Sequence, residues 1–448
     1  MKKKPTDPTM PYFPNTDSDR KTMLAAVGAT SVDELFAGIP AELRLSRDLN
    51  VPPGLDEMSL SAHMADLARQ NTSVSEAVCF LGGGVYDHFI PAVVDMVASR
   101  SEFYTAYTPY QPEASQGSLQ AFFEYQTLIT QLTGMDVSNA SLYDGGSAAA
   151  EAVLMALHTT GRTRVVTAET VHPEYRRVLA TYLANQGAEL VTLDAPDGTV
   201  SPERLSASVD KRTACVLMQH PNFFGCLEPM DDAANIAHRN GAMMIASVDP
   251  ISLGLLKRPG DYGADIVVAE GQSLGNPMAF GGPHLGILAC REKFVRRMPG
   301  RLIGQTVDRQ GRRCWVLTLQ TREQHIRREK ATSNICTNQG LCALRATVYL
   351  ASLGPAGLRE VANLCLQKSR YAADRLRSPR FDRPTFKEFV VRIKNGSVEE
   401  LIDQAQREKI FAGVPLGRWY PNLKDCLLVA VTERRTRQEI DRLAERFA

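Results

Sequence analysis

Two stretches of this 448-residue chain carry side chains at spacings that suit chemistry. In the first, the apolar run Met243–Val248 ends in Asp249, and a second run, Ile266–Ala269, leads into Gly271-Gln272-Ser273. The glycine-rich turn Gly281-Gly282-Pro283 then opens a third run, Leu285–Ala289. The first two runs read as buried parallel strands. A carboxylate at such a strand end can pair with a protonated ring nitrogen, and an amine after the next strand can condense with a carbonyl. The chain has the carboxylate, Asp249. It has no amine near Ser273, because no lysine occurs between Lys257 and Lys293. Asp249 can equally cap the turn before Pro250. The second stretch, Asp144-Gly145-Gly146-Ser147, opens a predicted helix. Its glycines allow close approach, and its N–H groups and helix dipole suit a phosphate. A strand-to-helix turn with Ser147 as its cap explains the same residues.

Two further runs offer contact rather than catalysis. Glu102–Glu113 holds Tyr104, Tyr107 and Tyr110, interrupted by Pro109 and Pro112, with Gln111, Glu113 and Ser115 beside them. Prolines forbid a regular helix there, and the loop presents apolar walls with polar tips. Arg327-Arg328-Glu329-Lys330-Ala331-Thr332-Ser333-Asn334-Ile335-Cys336-Thr337-Asn338 joins charge to small polar side chains before a helix. It can hold an anion, or serve only as a cap and a solvated face. Cys336 can be a reactive thiol, though a buried small residue is the simpler expectation. His88, His172, His220 and His284 are isolated, without metal-ligand spacing, so no metal is expected. No Walker loop and no Gly-x-Gly-x-x-Gly is present.

The elements that must position these groups alternate from Tyr143 onward. Strands are expected at 165–167, 189–193 and 214–219, and helices at 145–159, 173–185, 202–208 and 229–240. That alternation argues for an open, mostly parallel α/β sheet with helices on both faces. Ahead of it lie amphipathic helices at 59–78 and 116–133, the latter ending at Gly134. Residues 1–60 are Pro-rich and read as an N-terminal arm, 61–330 as the large domain, and 331–448 as linker helices with a small C-terminal α+β domain. Arg291–Thr332 is strongly basic, without a predicted element.

Formal charge is +1, with 44% hydrophobic and 23% charged residues. This balance argues against nucleic-acid binding by the chain as a whole. The nine cysteines are scattered with no Cys-x-x-Cys, so a disulfide framework is not expected. No run of about 18 apolar residues is seen, and Met1-Lys2-Lys3-Lys4 is followed by Pro, Thr and Asp rather than an apolar stretch. The expectation is a reduced, cytoplasmic protein.

Several of these runs resemble the glycine dehydrogenase (decarboxylating) family, the P-protein of the glycine cleavage system. They are Tyr12-Phe13-Pro14-Asn15-Thr16, Phe80-Leu81-Gly82-Gly83-Gly84-Val85-Tyr86-Asp87-His88, the tyrosine loop, Tyr143-Asp144-Gly145-Gly146-Ser147-Ala148, and Arg328–Thr337. The resemblance is to the subunit 1 branch, equivalent to the N-terminal half of a long single-chain form, and leaves out the first nine residues. It implies an aminotransferase-like fold (fold type I of pyridoxal phosphate enzymes). It further implies a subunit 2 that carries the Schiff-base lysine, an α2β2 heterotetramer, and a site between unlike halves. The implied reaction decarboxylates glycine on pyridoxal phosphate, held covalently by the partner, and passes the aminomethyl group to the lipoyl arm of the carrier H-protein. On this reading Tyr104, Tyr107, Tyr110, Gln111, Glu113, Ser115, Thr332, Ser333, Asn334 and Thr337 line a channel for that arm. Gly145, Gly146, Ser147 and Asp249 are then a degenerate cofactor site that need bind neither phosphate nor ring. Two other readings stand beside it. One is a structural or regulatory partner with no residue in an active site. The other is an autonomous enzyme using Lys257 or Lys330.

Overall fold

A computed structural model of the chain describes residues 15–447 apart from 46, 48, 332, 378 and 395. It divides after Asn71 into two units. The first contains α1 (Asp17–Ala26) and α2 (Glu57–Arg69). Thr16 starts α1 through a reciprocal capping box with Asp19, and Asp56 caps α2 by accepting from Ser59 N. The amphipathic run expected to reach residue 78 stops at Arg69 and belongs to this first unit, not to a large domain beginning at 61. No residue of either helix is buried, so neither builds a core.

The second unit opens with β1 (Val78–Cys79), α3 (Ala92–Ala98), α4 (Ser101–Tyr104), α5 (Gln116–Thr133) and β2 (Val137–Ser138). It alternates through α6 (Gly145–Thr160), β3 (Arg164–Ala168), α7 (Pro173–Leu183), β4 (Glu189–Leu193), α8 (Pro202–Ser208), β5 (Thr213–His220), α9 (Met230–Arg239), β6 (Met243–Val248), β7 (Ile266–Glu270) and β8 (Gly286–Cys290). These strands form one sheet in the order β2-β8-β7-β6-β5-β3-β4. Pairing is parallel from β4 to β7, with β8 antiparallel to both β7 and β2. Every residue of β6 is buried, as a strand covered on both faces requires. The chain reverses direction across the sheet between β3 and β5, so the carboxyl ends of these strands open onto the crevice where α/β folds hold ligands.

The basic stretch after β8 contains a hairpin that its composition concealed, β9 (Leu302–Val307) with β10 (Arg313–Thr318). A short α10 (Gln324–Arg327) follows, then α11 (Gly340–Leu376). The expected linker helices are the two helical segments of α11, which meet at a break at Gly354, where φ is 59° and ψ is −177°; Pro355 supplies no N–H for the ladder there. By length and composition α11 could cross a bilayer. Instead Ala343, Leu350, Leu358, Ala362 and Cys365 enter the large core, and Ala372 and Leu376 enter a second, smaller core. That core belongs to a small domain of β11 (Glu388–Arg392), α12 (Val398–Arg407), β12 (Ile410–Phe411), β13 (Val414–Pro415), β14 (Cys426–Ala430) and α13 (Arg437–Ala444). β14 is central, flanked antiparallel by β11 and β13, and β12 pairs in parallel with β1.

Candidate functional site

The carboxyl edge of the sheet holds a tightly paired set of polar groups. Asp144, not Ser147, caps α6: its Oδ1 accepts from Ser147 N at 2.7 Å. The next free donor, Gly145 N, gives its hydrogen to Glu270 Oε2 at 2.9 Å. Glu270 Oε1 accepts two more, from Gln272 N at 2.9 Å and Leu285 N at 3.0 Å. The anion at this helix N-terminus is therefore the chain's own carboxylate. Burial pushes the Glu270 pKa up to about 7 while the three N–H bonds pull it down. Gly145 is needed for close approach, but of Tyr175: a Cβ there would collide with Tyr175 Oη. The Tyr175 ring lies against His172, centroids 4.6 Å apart and planes 20° apart. His172 caps α7, and its Nε2 meets the Gly83 carbonyl at 2.7 Å. Burial lowers the His172 pKa, which keeps the ring neutral.

Asp249 caps the turn before Pro250 and pairs with an ammonium of this chain rather than with a ring nitrogen. Oδ1 accepts from Ile251 N at 3.1 Å, closing the turn at Pro250. Oδ2 pairs with Lys387 Nζ at 2.9 Å, and the two side chains are 11% and 1% exposed. The same ammonium stands 3.4 Å from the Tyr86 ring centroid and 3.0 Å from His88 Nε2. His88 Nδ1 reaches Glu433 Oε2 at 2.6 Å. Donation by Lys387 to Nε2 assigns the hydrogen to Nδ1, which donates to Glu433. Burial alone would raise the Glu433 pKa; its contact with His88 and the bond from Phe89 N outweigh that and lower it. His88, Glu433 and Cys365 place three possible metal ligands within 4.8 Å, but the position between this set and Asp249 is taken by the Lys387 ammonium. Neighbouring Glu388 accepts from Gly83 N at 2.7 Å and from Tyr86 Oη at 2.8 Å, and burial pushes its pKa up to about 7.

Lys387 and Glu388 reach the crevice on the strand entering the small domain. Leu227 N donates to Pro384 O, and Phe386 N donates to Gly225 O. A Cβ on Gly225, where φ is +81°, would collide with the Glu388 carbonyl, so only glycine permits this approach. Among Tyr86, His172, Tyr175, Asp249, Glu270 and Lys387 a cavity of about 30 Å³ remains, room for two or three waters. These residues do not fit pyridoxal phosphate: its anion, ring and cation positions are all taken. Ser273 is buried and its Oγ has no partner. Lys257 pairs with Asp231 at the surface and Lys330 is exposed; neither lines this cavity.

The tyrosine loop builds a second cavity, of about 230 Å³. Tyr104, Tyr107, Pro109, Phe122, Thr337 and Asn338 are among its walls. Tyr104 and Tyr107 are 68% and 82% exposed. The run after Ala331 is held by Cys336 N donating to Tyr143 Oη at 2.9 Å, Gln339 N to Ser141 Oγ at 3.0 Å, and Asn338 Nδ2 to Ala140 O at 3.0 Å. Thus Tyr104, Tyr107 and Thr337 converge. Tyr110 does not line the cavity: its Oη accepts from the buried Arg301 at 3.0 Å, with the guanidinium carbon 5.4 Å from the ring centroid. Gln111, Glu113 and Asn334 are exposed, Ser115 is the N-cap of α5, and Ser333 Oγ accepts from Ile335 N. None of these five is among the lining residues, and Thr332 lies outside the described residues. Cys336 is exposed rather than buried. The residues not anticipated are Tyr86, Tyr175, Glu270, Arg301, Asn338, Lys387 and Glu388. Tyr86, Arg301 and Asn338 lay in runs already singled out, without a role assigned to them.

Comparison with known proteins agrees with this architecture. The glycine cleavage system P-protein family matches residues 10–447. The probable glycine dehydrogenase (decarboxylating) subunit 1 of Carboxydothermus hydrogenoformans is 54% identical over 440 residues, 97% of this chain and 99% of the relative. That of Desulforamulus reducens is 54% identical over 443 residues, 98% and 99% of the two chains. A crystal structure of glycine decarboxylase (P-protein) of the glycine cleavage system, in inhibitor-bound form, superposes with a TM-score of 0.91 at 45% identity, covering 98% of this chain and 99% of that one. A sphingosine-1-phosphate lyase from Burkholderia pseudomallei shares the fold alone, at 15% identity and TM-score 0.64 over 91% and 92% of the two chains. The fold is the aminotransferase-like α/β type, and the chain belongs to the glycine cleavage system P-protein family, in its subunit 1 branch.

Proposed function

We propose that this chain is the lysine-less half of a heteromeric, cytoplasmic glycine dehydrogenase (decarboxylating). A subunit 2 carries the Schiff-base lysine and holds pyridoxal phosphate covalently, the two assemble as α2β2, and the aminomethyl group passes to the lipoyl arm of the carrier H-protein as CO2 leaves. Pyridoxal phosphate supplies the electron-withdrawing ring that takes up the negative charge left by CO2. This chain's part is contact and exclusion. Tyr104 and Tyr107 give the 230 Å³ cavity apolar walls that suit a slim aliphatic arm. Arg301 ties Tyr110 and Asn338 together from below, which fixes the loop and leaves Tyr107 free to meet the arm and keep water from it.

The observation that carries this reading is the convergence of the tyrosine loop with Thr337 and Asn338 around one cavity, in a chain whose cofactor crevice is filled. The test is a Tyr107→Ala, Thr337→Ala variant reconstituted with subunit 2 and the lipoyl carrier. Intact assembly with reduced turnover supports it; normal turnover refutes it. Loss of assembly would instead support a purely structural partner, with the tyrosines as interface anchors.

A further inference from the structure

We propose that Glu270, Tyr175 and Lys387 act together as an internal substitute for the cofactor, filling the degenerate crevice with the chain's own anion, ring and cation so that no pyridoxal compound can enter.

Each group satisfies the protein atoms that the corresponding part of a cofactor would use. A phosphate at the start of α6 would accept backbone N–H hydrogens. The Glu270 carboxylate accepts from Gly145 there, and from Gln272 and Leu285 besides. A pyridine ring would need an aromatic face to stack on, and the Tyr175 ring holds that place against His172. A pyridinium would pair with Asp249, and Lys387 does so at 2.9 Å. The ammonium is enclosed on its other sides by the Tyr86 ring and His88 Nε2, so its three hydrogens are satisfied. Charge is matched as well. Loss of the lysine alone would leave an unpaired Asp249 and bare N–H donors in a crevice, which is costly. The three side chains remove both liabilities at once.

The substitution also changes how the domains are held. Lys387 and Glu388 come from the small domain, while Asp249, Tyr175 and Glu270 come from the large one. Closure of the small domain over the crevice is thus built into the covalent chain and needs no ligand.

The test uses the full-length chain and pyridoxamine 5′-phosphate, which has no aldehyde and so cannot label surface lysines. Binding is followed by its fluorescence and by the melting temperature, for the wild type and for a Glu270→Ala, Tyr175→Ala variant. A single Glu270→Ala variant, which vacates only the N–H cradle, is carried alongside in case the double variant does not fold. The expected result is no saturable binding to the wild type, with Kd above about 1 mM, and a Kd at least tenfold lower in whichever cleared variant folds. Dephosphorylated pyridoxamine is expected not to compete. Stoichiometric binding by the wild type would overturn the proposal, as would a folded, cleared variant that binds no better than the wild type.

Discussion

Lys387 of the small domain and Asp249 of the large domain form a salt bridge of 2.9 Å that excludes nearly all solvent, with the two side chains 1% and 11% exposed. The pair sits where the sequence places a cofactor's ring nitrogen, and it ties the two domains together. Its energetics follow from burial: the pair adds little net stability over an apolar pair, but breaking one half leaves a charge without a partner.

A Lys387→Met variant is accordingly expected to lose about 3–5 kcal/mol of unfolding free energy, measured by urea denaturation. Adding Asp249→Asn removes the orphaned charge, and the double variant is expected to recover more than half of that loss. Additive losses in the cycle would show that the two residues do not act as a pair.

The Glu388 carboxyl is pushed up to about 7 by burial, against the pull of Gly83 N, Lys387 and Tyr86 Oη. Its folded pKa lies above the ordinary value of 4.5, so folding favours the protonated form. The stability this group contributes is complete below pH about 4.5 and is lost as pH rises through about 7. Glu270 and Glu151 shift in the same direction, while His172 and His220, whose pKa values burial lowers, act in the opposite sense only below about pH 6.5, so wild-type melting temperature is expected to fall between pH 6.5 and pH 8. In Glu388→Gln that fall is expected to be smaller, as read by calorimetry at the two pH values.

Gly354 holds the kink of α11 with φ 59° and ψ −177°, and nothing lies within 4 Å of where a Cβ would stand. The cost of Gly354→Ala is therefore backbone strain alone, about 1–3 kcal/mol. A melting temperature equal to wild type would show that the helix straightens without penalty.

Tyr107 is 82% exposed, so its replacement costs the fold little. In the assembled enzyme, Tyr107→Ala is expected to raise the KM for the lipoylated carrier or lower kcat by about tenfold, a loss of about 1.4 kcal/mol. Assembly, followed by light scattering, is expected to stay unchanged.

Much of the scaffold could be read from local sequence. The apolar runs at 243–248 and 266–269 became adjacent parallel strands because nothing else buries such runs in a βα alternation. Gly134 ends α5 in the left-handed conformation as expected. The lysine-free stretch between Lys257 and Lys293 was visible in the sequence, and two separately chosen runs supplied Tyr104, Tyr107 and Thr337 to one cavity. What fills the crevice was not legible. Lys387 lies far downstream in another domain, and Glu270 stands between the apolar run and the polar stretch that the sequence marks out. Only the fold brings Lys387 to Asp249 and Glu270 to Gly145. The β9–β10 hairpin was not legible because its strands, LIGQTV and RCWVLT, do not alternate apolar with polar residues. The overrun of α2 past Arg69 came from an apolar periodicity that outlasts the helix.

The most direct test of the central claim is borohydride reduction of the two subunits mixed with pyridoxal phosphate and glycine, followed by peptide mapping of the pyridoxyl label. Glycine-dependent CO2 exchange is measured on the same samples. The account predicts exchange only in the mixture, with stoichiometric label on a lysine of subunit 2 and none on this chain. Stoichiometric label on Lys257, Lys330 or Lys387, with exchange by this chain alone, would contradict it.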